Sequence, residues 1–123
     1  MTGSAAGRFT TVARESSGGP VVEVTGELDY DTAPRVRVAL EDALAVAPVP
    51  PILVVDLAGV TFCDSSGLNA LLQARIDAQG QGSVLRLARP TPAVARLLEI
   101  TGAGQVFPVD PDVPATVPDT HAD

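Results

Sequence analysis

The sequence predicts a single α/β domain, in which an opening hairpin and later parallel strands form a mixed β-sheet and the helices pack mainly on one face. The length of 123 residues suits one domain, which can bury a sufficient core without disulfide bonds or a metal. Apolar residues make up 46% of the chain but include only three Phe, one Tyr and no Trp, so Val, Leu, Ile and Ala must fill the core. After the first two strands, helical and strand patterns alternate, which is typical of α/β domains.

Two segments near the start, residues 9–14 and Val21–Leu28, have the pattern of short strands. Residues 16–20 between them are turn-forming, which favours a hairpin. From Asp31 onward, apolar residues recur at helical spacing, with Asp31 or Thr32 placed to cap the helix and prolines placed to end it. The apolar positions of this first helix are Val36, Leu40, Ala43, Leu44 and Ala47.

The rest of the domain alternates between strands and helices. Residues 52–57 form a continuous apolar run, rich in β-branched side chains, that predicts a strand buried on both faces. The second helix follows a short connection, and its apolar stripe comprises Leu68, Leu71, Leu72 and Ile76. A strand at residues 83–88, a helix at residues 90–100 and a last strand at residues 105–109 complete the prediction.

Both ends of the chain differ from the domain between them. Residues 1–7 are small and polar, which predicts a flexible N-terminus without the features of a secretion signal, ahead of a domain at residues 8–109. Residues 110–123 contain three Pro and four Asp and no apolar periodicity, so we expect a disordered acidic tail. The longest uncharged apolar stretch, residues 43–55, is too short for a membrane helix and is interrupted by prolines. We therefore expect a cytoplasmic protein with no membrane insertion.

Charge and composition exclude several classes of function. Acidic residues outnumber basic ones by 15 to 8, and the net charge of −7 disfavours direct binding to nucleic acid. All eight basic residues are Arg, so the chain lacks the Lys of Schiff-base chemistry, of a Walker phosphate loop and of a receiver domain. The only His, His121, lies near the C-terminus, and the single Cys, Cys63, has no cysteine to pair with. The sequence thus predicts no catalytic triad and no metal or other cofactor.

The most informative segment is Asp64-Ser65-Ser66-Gly67, which joins a predicted buried strand to the second helix. Asp64 or Ser65 could accept hydrogen bonds from the free N–H groups of the helix start, which also carries the positive end of the helix dipole. Such a cap does not require two serines, and Gly67 in the first turn costs up to about 1 kcal/mol relative to Ala. The segment therefore indicates a requirement beyond helix capping.

Further blocks of sequence, in the same order along the chain, complete a recognisable pattern. They are Gly-Glu-Leu-Asp at residues 26–29, Asp-Leu at 56–57, Asp-Ser-Ser-Gly-Leu at 64–68, Arg-Pro at 89–90, the segment 96–102 and Val-Phe-Pro-Val at 106–109. Over about residues 9–109 the chain resembles the anti-sigma factor antagonists, bacterial members of the STAS domain family. The resemblance implies the sheet order of a STAS domain. The sequence departs from the family at Cys63, where Ile, Val or Met is more usual.

The resemblance also implies a partner-switching function. In the family, the first serine of the Asp-Ser-Ser-Gly motif is phosphorylated by an anti-sigma factor that is itself an ATP-dependent serine kinase. The corresponding residue here is Ser65. The unphosphorylated antagonist binds the anti-sigma factor and releases a sigma factor, phosphorylation ends that binding, and a phosphoserine phosphatase is a further expected partner. The residues expected to bind the partner are Asp29, Asp64, Ser65, Ser66, Gly67 and Asn69.

Other interpretations remain open at this point. Glu27, Asp29 and Asp31 resemble a group of acids for metal binding or acid–base catalysis, although turn and capping roles suit them better. Asp56 could be the phospho-acceptor of a receiver-like or phosphatase-like enzyme, but the chain has no Lys, which favours a structural role. Asn69 faces either a partner or solvent, and Cys63 is expected to pack as a small apolar residue. A STAS domain of a lipid-transport or other signalling assembly would share the fold, and the serine pair favours the kinase-regulated function.

Overall fold

The structure, a computed structural model, describes residues 8–115, and these form five strands, three α-helices and a short 3-10 helix. The strands are β1 (Thr10–Arg14), β2 (Val21–Leu28), β3 (Ile52–Cys63), β4 (Val84–Ala88) and β5 (Val109–Asp110). The α-helices are α1 (Ala33–Leu44), α2 (Ser65–Gly80) and α3 (Pro92–Thr101), and the 3-10 helix is Ala103–Gln105. No helix among these residues is long and apolar enough to cross a membrane.

The five strands form one mixed sheet in the order β1-β2-β3-β4-β5. β1 and β2 pair antiparallel, and the pairs β2–β3, β3–β4 and β4–β5 are parallel. Each parallel pair is joined through a helical crossover, as parallel strands require. The predicted hairpin and mixed sheet are confirmed.

All three α-helices contribute to one apolar core on one face of the sheet. Alternate residues of β3 point into this core, as the two-residue period of a strand requires. The buried residues of the cluster include Val36, Leu40 and Leu44 of α1, Leu68 and Leu71 of α2, Val94 and Leu98 of α3, and Leu53, Val55 and Leu57 of β3. The prediction that the helices pack mainly on one face is therefore confirmed.

The opposite face of the sheet is covered in part by the segment that follows β5. Val113 packs against a small buried cluster of Val21, Val54 and Ala88. Asp110 pairs with Arg86 through two hydrogen bonds of 2.8 Å. The predicted start of the disordered tail at Asp110 is therefore wrong, because Asp110 pairs with Arg86 and Val113 packs on the apolar cluster. The remainder of that predicted tail, residues 116–123, and the predicted flexible N-terminus, residues 1–7, lie outside the described residues.

Two further boundaries differ from the sequence prediction. β3 continues past the predicted end at Leu57 to Cys63, because its second half pairs with β2, whereas β4 pairs only as far as Asp56. The predicted last strand at residues 105–109 is also wrong. Gly102, with φ of 77°, ends α3 in the left-handed region, the chain continues as the 3-10 helix, and only Val109–Asp110 pairs with β4.

Candidate functional site

The candidate site lies where β3 ends and α2 begins. Leu28 pairs with Cys63 in the parallel register, and the Asp64 N–H donates to the Leu28 carbonyl oxygen at 3.2 Å. The ends of β2 and β3 therefore lie side by side. As a result, the loop that begins at Asp29 and the start of α2 share one end of the sheet.

Asp64 is the residue that caps α2. Its backbone is extended, and its Oδ1 accepts from the Gly67 N–H at 3.0 Å. Its carbonyl oxygen accepts from the Leu68 N–H at 3.0 Å. The negative carboxylate also complements the positive end of the helix dipole. The sequence allowed either Asp64 or Ser65 as the cap. In the structure Asp64 is the capping residue, and Ser65 is not.

Ser65 and Ser66 are the first two residues of α2 and differ in exposure. Ser65 is exposed, whereas Ser66 is half-buried. Neither hydroxyl has a hydrogen-bond partner within the part of the chain that the structure describes. Ser65 thus presents a free hydroxyl to solvent at the N-terminus of a 16-residue helix, where free N–H groups favour an anion.

Gly67 is buried because the first turn of α2 passes directly over the end of β2. A Cβ atom at this position would lie 2.5 Å from the Leu28 carbonyl oxygen, 2.6 Å from Leu28 Cγ and 3.1 Å from Cys63 Sγ. Only glycine fits this approach without displacement of backbone atoms. This contact is the additional requirement that the sequence indicated. A buried Gly67 positions the serines and does not itself present a side chain to a partner.

Cys63 is half-buried beside this glycine, in surroundings that disfavour its thiolate form. Burial, and then the negative charge of Asp64, raise the pKa of Cys63 to about 11. The thiol is therefore protonated at neutral pH, and the thiolate required for redox or nucleophilic chemistry is scarce. The predicted packing role of Cys63 agrees with this environment.

Asp29 organises the start of α1. Its Oδ1 accepts from the N–H groups of Asp31 and Thr32 at 3.0 and 3.2 Å, and the Thr32 hydroxyl donates to the Glu27 carbonyl oxygen at 2.7 Å. Thr32 is the N-cap residue of α1, one of the two positions that the sequence allowed. Its side chain accepts no hydrogen bond from the first turn, because its hydroxyl accepts from the Asp29 N–H and donates to the Glu27 carbonyl oxygen. Glu27 and Asp31 are exposed, and the described residues contain no group of three side chains suited to bind a metal ion.

Exposed apolar side chains lie at the same end of the sheet. Asn69, one helical turn after Ser65, is exposed, as are Tyr30 at 79% and Phe62 at 48%. We call Tyr30, Phe62, Ser65, Ser66 and Asn69 the helix-start surface. Neither aromatic residue was predicted from the sequence, although their positions next to Asp29 and Cys63 could have indicated them.

The apolar stripe predicted for the second helix extends too far. Ile76 was expected in the core, but its side chain is 55% exposed. It lies three turns from Ser65 on the same side of α2, because eleven residues complete about three turns of an α-helix. The exposed side of α2 therefore carries apolar as well as polar residues.

Asp56 has a structural environment on the opposite face of the sheet. Asp56 is only 3% exposed, and its Oδ2 lies 2.6 Å from Arg89 Nη2. Its Oδ1 accepts from Arg89 Nε at 3.2 Å and from the Ala58 N–H at 3.1 Å. Both carboxylate oxygens are thus engaged. This arrangement supports the structural role preferred from the sequence over that of a phospho-acceptor.

Comparison with known proteins agrees with this geometry. The family model described as "Mlab, STAS domain" matches residues 11–109. A STAS-domain containing protein of Pseudomonas aeruginosa is 34% identical over 72% of this chain and 84% of its own length. The anti-sigma F factor antagonist of Paenibacillus polymyxa is 30% identical over 72% of this chain and 75% of its own length.

A solved structure extends the similarity to three dimensions. The crystal structure of an anti-sigma factor antagonist from Mycobacterium paratuberculosis superposes with a TM-score of 0.75 and 33% identity. The match covers 85% of this chain and 87% of that one. The chain therefore belongs to the STAS domain family, and its relatives within that family include anti-sigma factor antagonists.

Proposed function

We propose that this protein is an anti-sigma factor antagonist regulated by phosphorylation of Ser65. In its unphosphorylated form it binds an anti-sigma factor through the helix-start surface and so releases a sigma factor. The serine kinase activity of the anti-sigma factor transfers phosphate from ATP to Ser65, and a phosphoserine phosphatase restores the binding form. The protein is then a cytoplasmic substrate of phosphorylation rather than an enzyme.

The observation that carries this proposal is the division of roles between Asp64 and Ser65. Because Asp64 Oδ1 supplies the side-chain cap at 3.0 Å, the Ser65 hydroxyl is exposed and free of structural hydrogen bonds within residues 8–115. Ser66, half-buried in the same turn, is less accessible to a kinase. A modification at Ser65 can therefore occur without disrupting the helix start.

Phosphorylation would act on binding through local charge. A phosphoserine carries about −1.5 to −2 charges, and it would lie next to Asp64 in the chain, at the end of the sheet where Phe62 is exposed. Contact with a partner across the exposed aromatic residues requires removal of water from this surface, and removal of water from a phosphate is costly. Loss of affinity then needs no change of fold.

Mass spectrometry after incubation with ATP and a kinase-type anti-sigma factor tests the assignment of the phosphorylated residue. We expect one phosphate, located on Ser65, and none on the Ser65→Ala variant. Ser66→Ala is the matched control, and it should be phosphorylated as the natural sequence is. Phosphate on Ser66 or Thr61 would contradict the proposal.

A second candidate function follows from the breadth of the family. The matching family model covers STAS domains as such, so a subunit of a lipid-transport or other signalling assembly is compatible with the match. In that function the helix-start surface would bind its partner without phosphorylation. The same experiment separates the two functions, because only the antagonist acquires phosphate on Ser65.

A further inference from the structure

The outer edge of β1 is a regular sheet edge without a pairing strand among the described residues. β1 lies at one end of the sheet and pairs with β2 over five residues without a register shift. The other edge strand, β5, has only two residues. Natural proteins protect sheet edges with short strands, prolines, bulges or charged residues. The central residues of β1, Thr11, Val12 and Ala13, provide none of these.

A groove runs beside this edge on the helical face. It has a volume of about 940 Å³ and lies between β1 and α1. Thr11 and Ala13 form its β1 side with small side chains, and the exposed Val38 of α1 and the exposed Val46, two residues after α1 ends, lie along the other side. On the opposite face, Val12 is 51% exposed. Apolar surface is therefore available both above and below the edge strand.

The two ends of the groove carry opposite charges. Since β1 and α1 both run antiparallel to β2, they run in the same direction. At their shared beginning, Arg35 donates to the Phe9 carbonyl oxygen at 3.1 Å and lies 5.0 Å from the centre of the Phe9 ring. Toward their other end the groove is lined by Glu15 and Asp42, and also by Arg14, whose positive charge is paired with Glu23 at 2.8 Å. Within residues 8–115, none of the side chains of Arg35, Glu15 and Asp42 forms an ion pair.

We propose that the edge of β1 pairs antiparallel with β1 of a second copy of this chain, about a two-fold axis at Val12. In this register Val12 lies opposite Val12 of the second copy, and Thr11 lies opposite Ala13. Glu15 then lies opposite Phe9 of the second copy, next to the Arg35 that covers that ring. An antiparallel two-fold arrangement brings the positive end of each groove to the negative end of the other. This complementarity identifies a second copy as the occupant.

The proposed dimer leaves the helix-start surface open. α1 lies between β1 and α2 on the helical face, and Arg37 of α1 pairs with Asp77 of α2 at 3.2 Å. Each copy would therefore present its own Ser65 on the side remote from the dimer contact. The dimer is independent of the proposed function, and its test requires no anti-sigma factor.

Sedimentation velocity of the full chain over a wide range of concentrations tests the dimer. We expect the mass to rise toward twice that of the single chain as concentration increases. Val12→Lys places two like charges opposite each other on the axis, and we expect the dimer Kd to rise at least about tenfold. Val84→Lys is the matched control, because Val84 is 45% exposed on β4 and should leave the Kd unchanged.

A charge exchange tests the register. Glu15→Arg should weaken the dimer, and the double variant with Glu15→Arg and Arg35→Glu should restore it, because the double variant recreates the opposite charges. A chain that is monomeric at every concentration would overturn the proposal, and an extended segment of another protein would then be the better occupant. A dimer that survives Val12→Lys, or a double variant that stays as weak as Glu15→Arg, would also overturn it.

Discussion

The helices that follow β2 and β3 begin with similar residues but with different hydrogen bonding. At the start of α1, Asp29 Oδ1 accepts from the Thr32 N–H at 3.2 Å, and the Thr32 hydroxyl donates to a carbonyl oxygen of β2 at 2.7 Å. At the start of α2, Asp64 provides the side-chain cap, and Ser65 and Ser66 have no hydroxyl partner within residues 8–115. A hydroxyl at a helix start is thus free for modification where another residue caps the helix.

The two helix starts also differ in how closely they approach the sheet. α2 begins in contact with the end of β2, where the Cβ of any residue larger than glycine at position 67 would collide with Leu28. This close packing fixes the position of Ser65 although Ser65 itself makes no stabilising hydrogen bond. The site therefore combines a rigid backbone with a free side chain.

The largest effect on stability is expected from Gly67→Ala. The added Cβ would lie 2.5 Å from a backbone oxygen, so the start of α2 must shift, and we expect the free energy of unfolding to fall by about 1–3 kcal/mol. Gly80→Ala is the matched control, since a Cβ added there would have no neighbouring atom within 4 Å and alanine favours helix. Urea denaturation measures both, and equal midpoints would show that the contact at Gly67 is not restrictive.

An effect of comparable size is expected from removal of the Thr32 hydroxyl. Thr32→Val keeps the shape of this buried residue but leaves the Glu27 carbonyl oxygen and the Asp29 N–H without their partner. We expect a loss of about 1–3 kcal/mol in the free energy of unfolding. Ser65→Ala, the corresponding change at α2, should alter it by less than about 0.5 kcal/mol. Thermal and urea unfolding measure both variants. If Thr32→Val and Ser65→Ala lowered the free energy of unfolding by similar amounts, the two helix starts would not differ in the structural role of their hydroxyl groups.

A smaller effect is expected from loss of the α2 cap. Asp64→Ala removes the acceptor of the Gly67 N–H and should lower the free energy of unfolding by about 1 kcal/mol. Asp31→Ala serves as the control, because Asp31 is exposed and its carboxylate makes no hydrogen bond within residues 8–115. If Asp64→Ala were as stable as the control, Ser65 or Ser66 would be able to take over the cap.

The sequence allowed the fold and the central motif to be predicted, because both depend on local pattern. Hydrophobic periodicity located the hairpin and the three helices, and Asp64-Ser65-Ser66-Gly67 marked the candidate site at the start of α2. The sheet order was implied only by the resemblance to the family. A special role for Gly67 could be suspected because glycine destabilises a helix relative to alanine. The reason that glycine is required could not be deduced from the sequence, since it depends on the position of Leu28 in the neighbouring strand.

The features that were missed depend on contacts between distant segments. The extension of β3 to Cys63 results from pairing with β2 alone. The Asp29 side chain accepts from the Asp31 and Thr32 N–H groups because of the shape of the loop before α1, which residue type does not specify. The segment from Asp110 to Val113 is held on the sheet because Arg86 donates to Asp110 and Val113 packs against a cluster from three strands. None of these partners is near in sequence, so composition alone indicated a disordered tail.

The most direct test of the account is a calorimetric titration of Ser65 variants into a kinase-type anti-sigma factor. Ser65→Ala should bind as tightly as the unphosphorylated natural chain, and Ser65→Asp should bind more weakly, because it places a fixed negative charge on the helix-start surface. The free energy of unfolding of both variants should stay within about 0.5 kcal/mol of the natural chain. Equal affinity of the folded Ser65→Ala and Ser65→Asp variants would contradict the assignment of Ser65 as the switch.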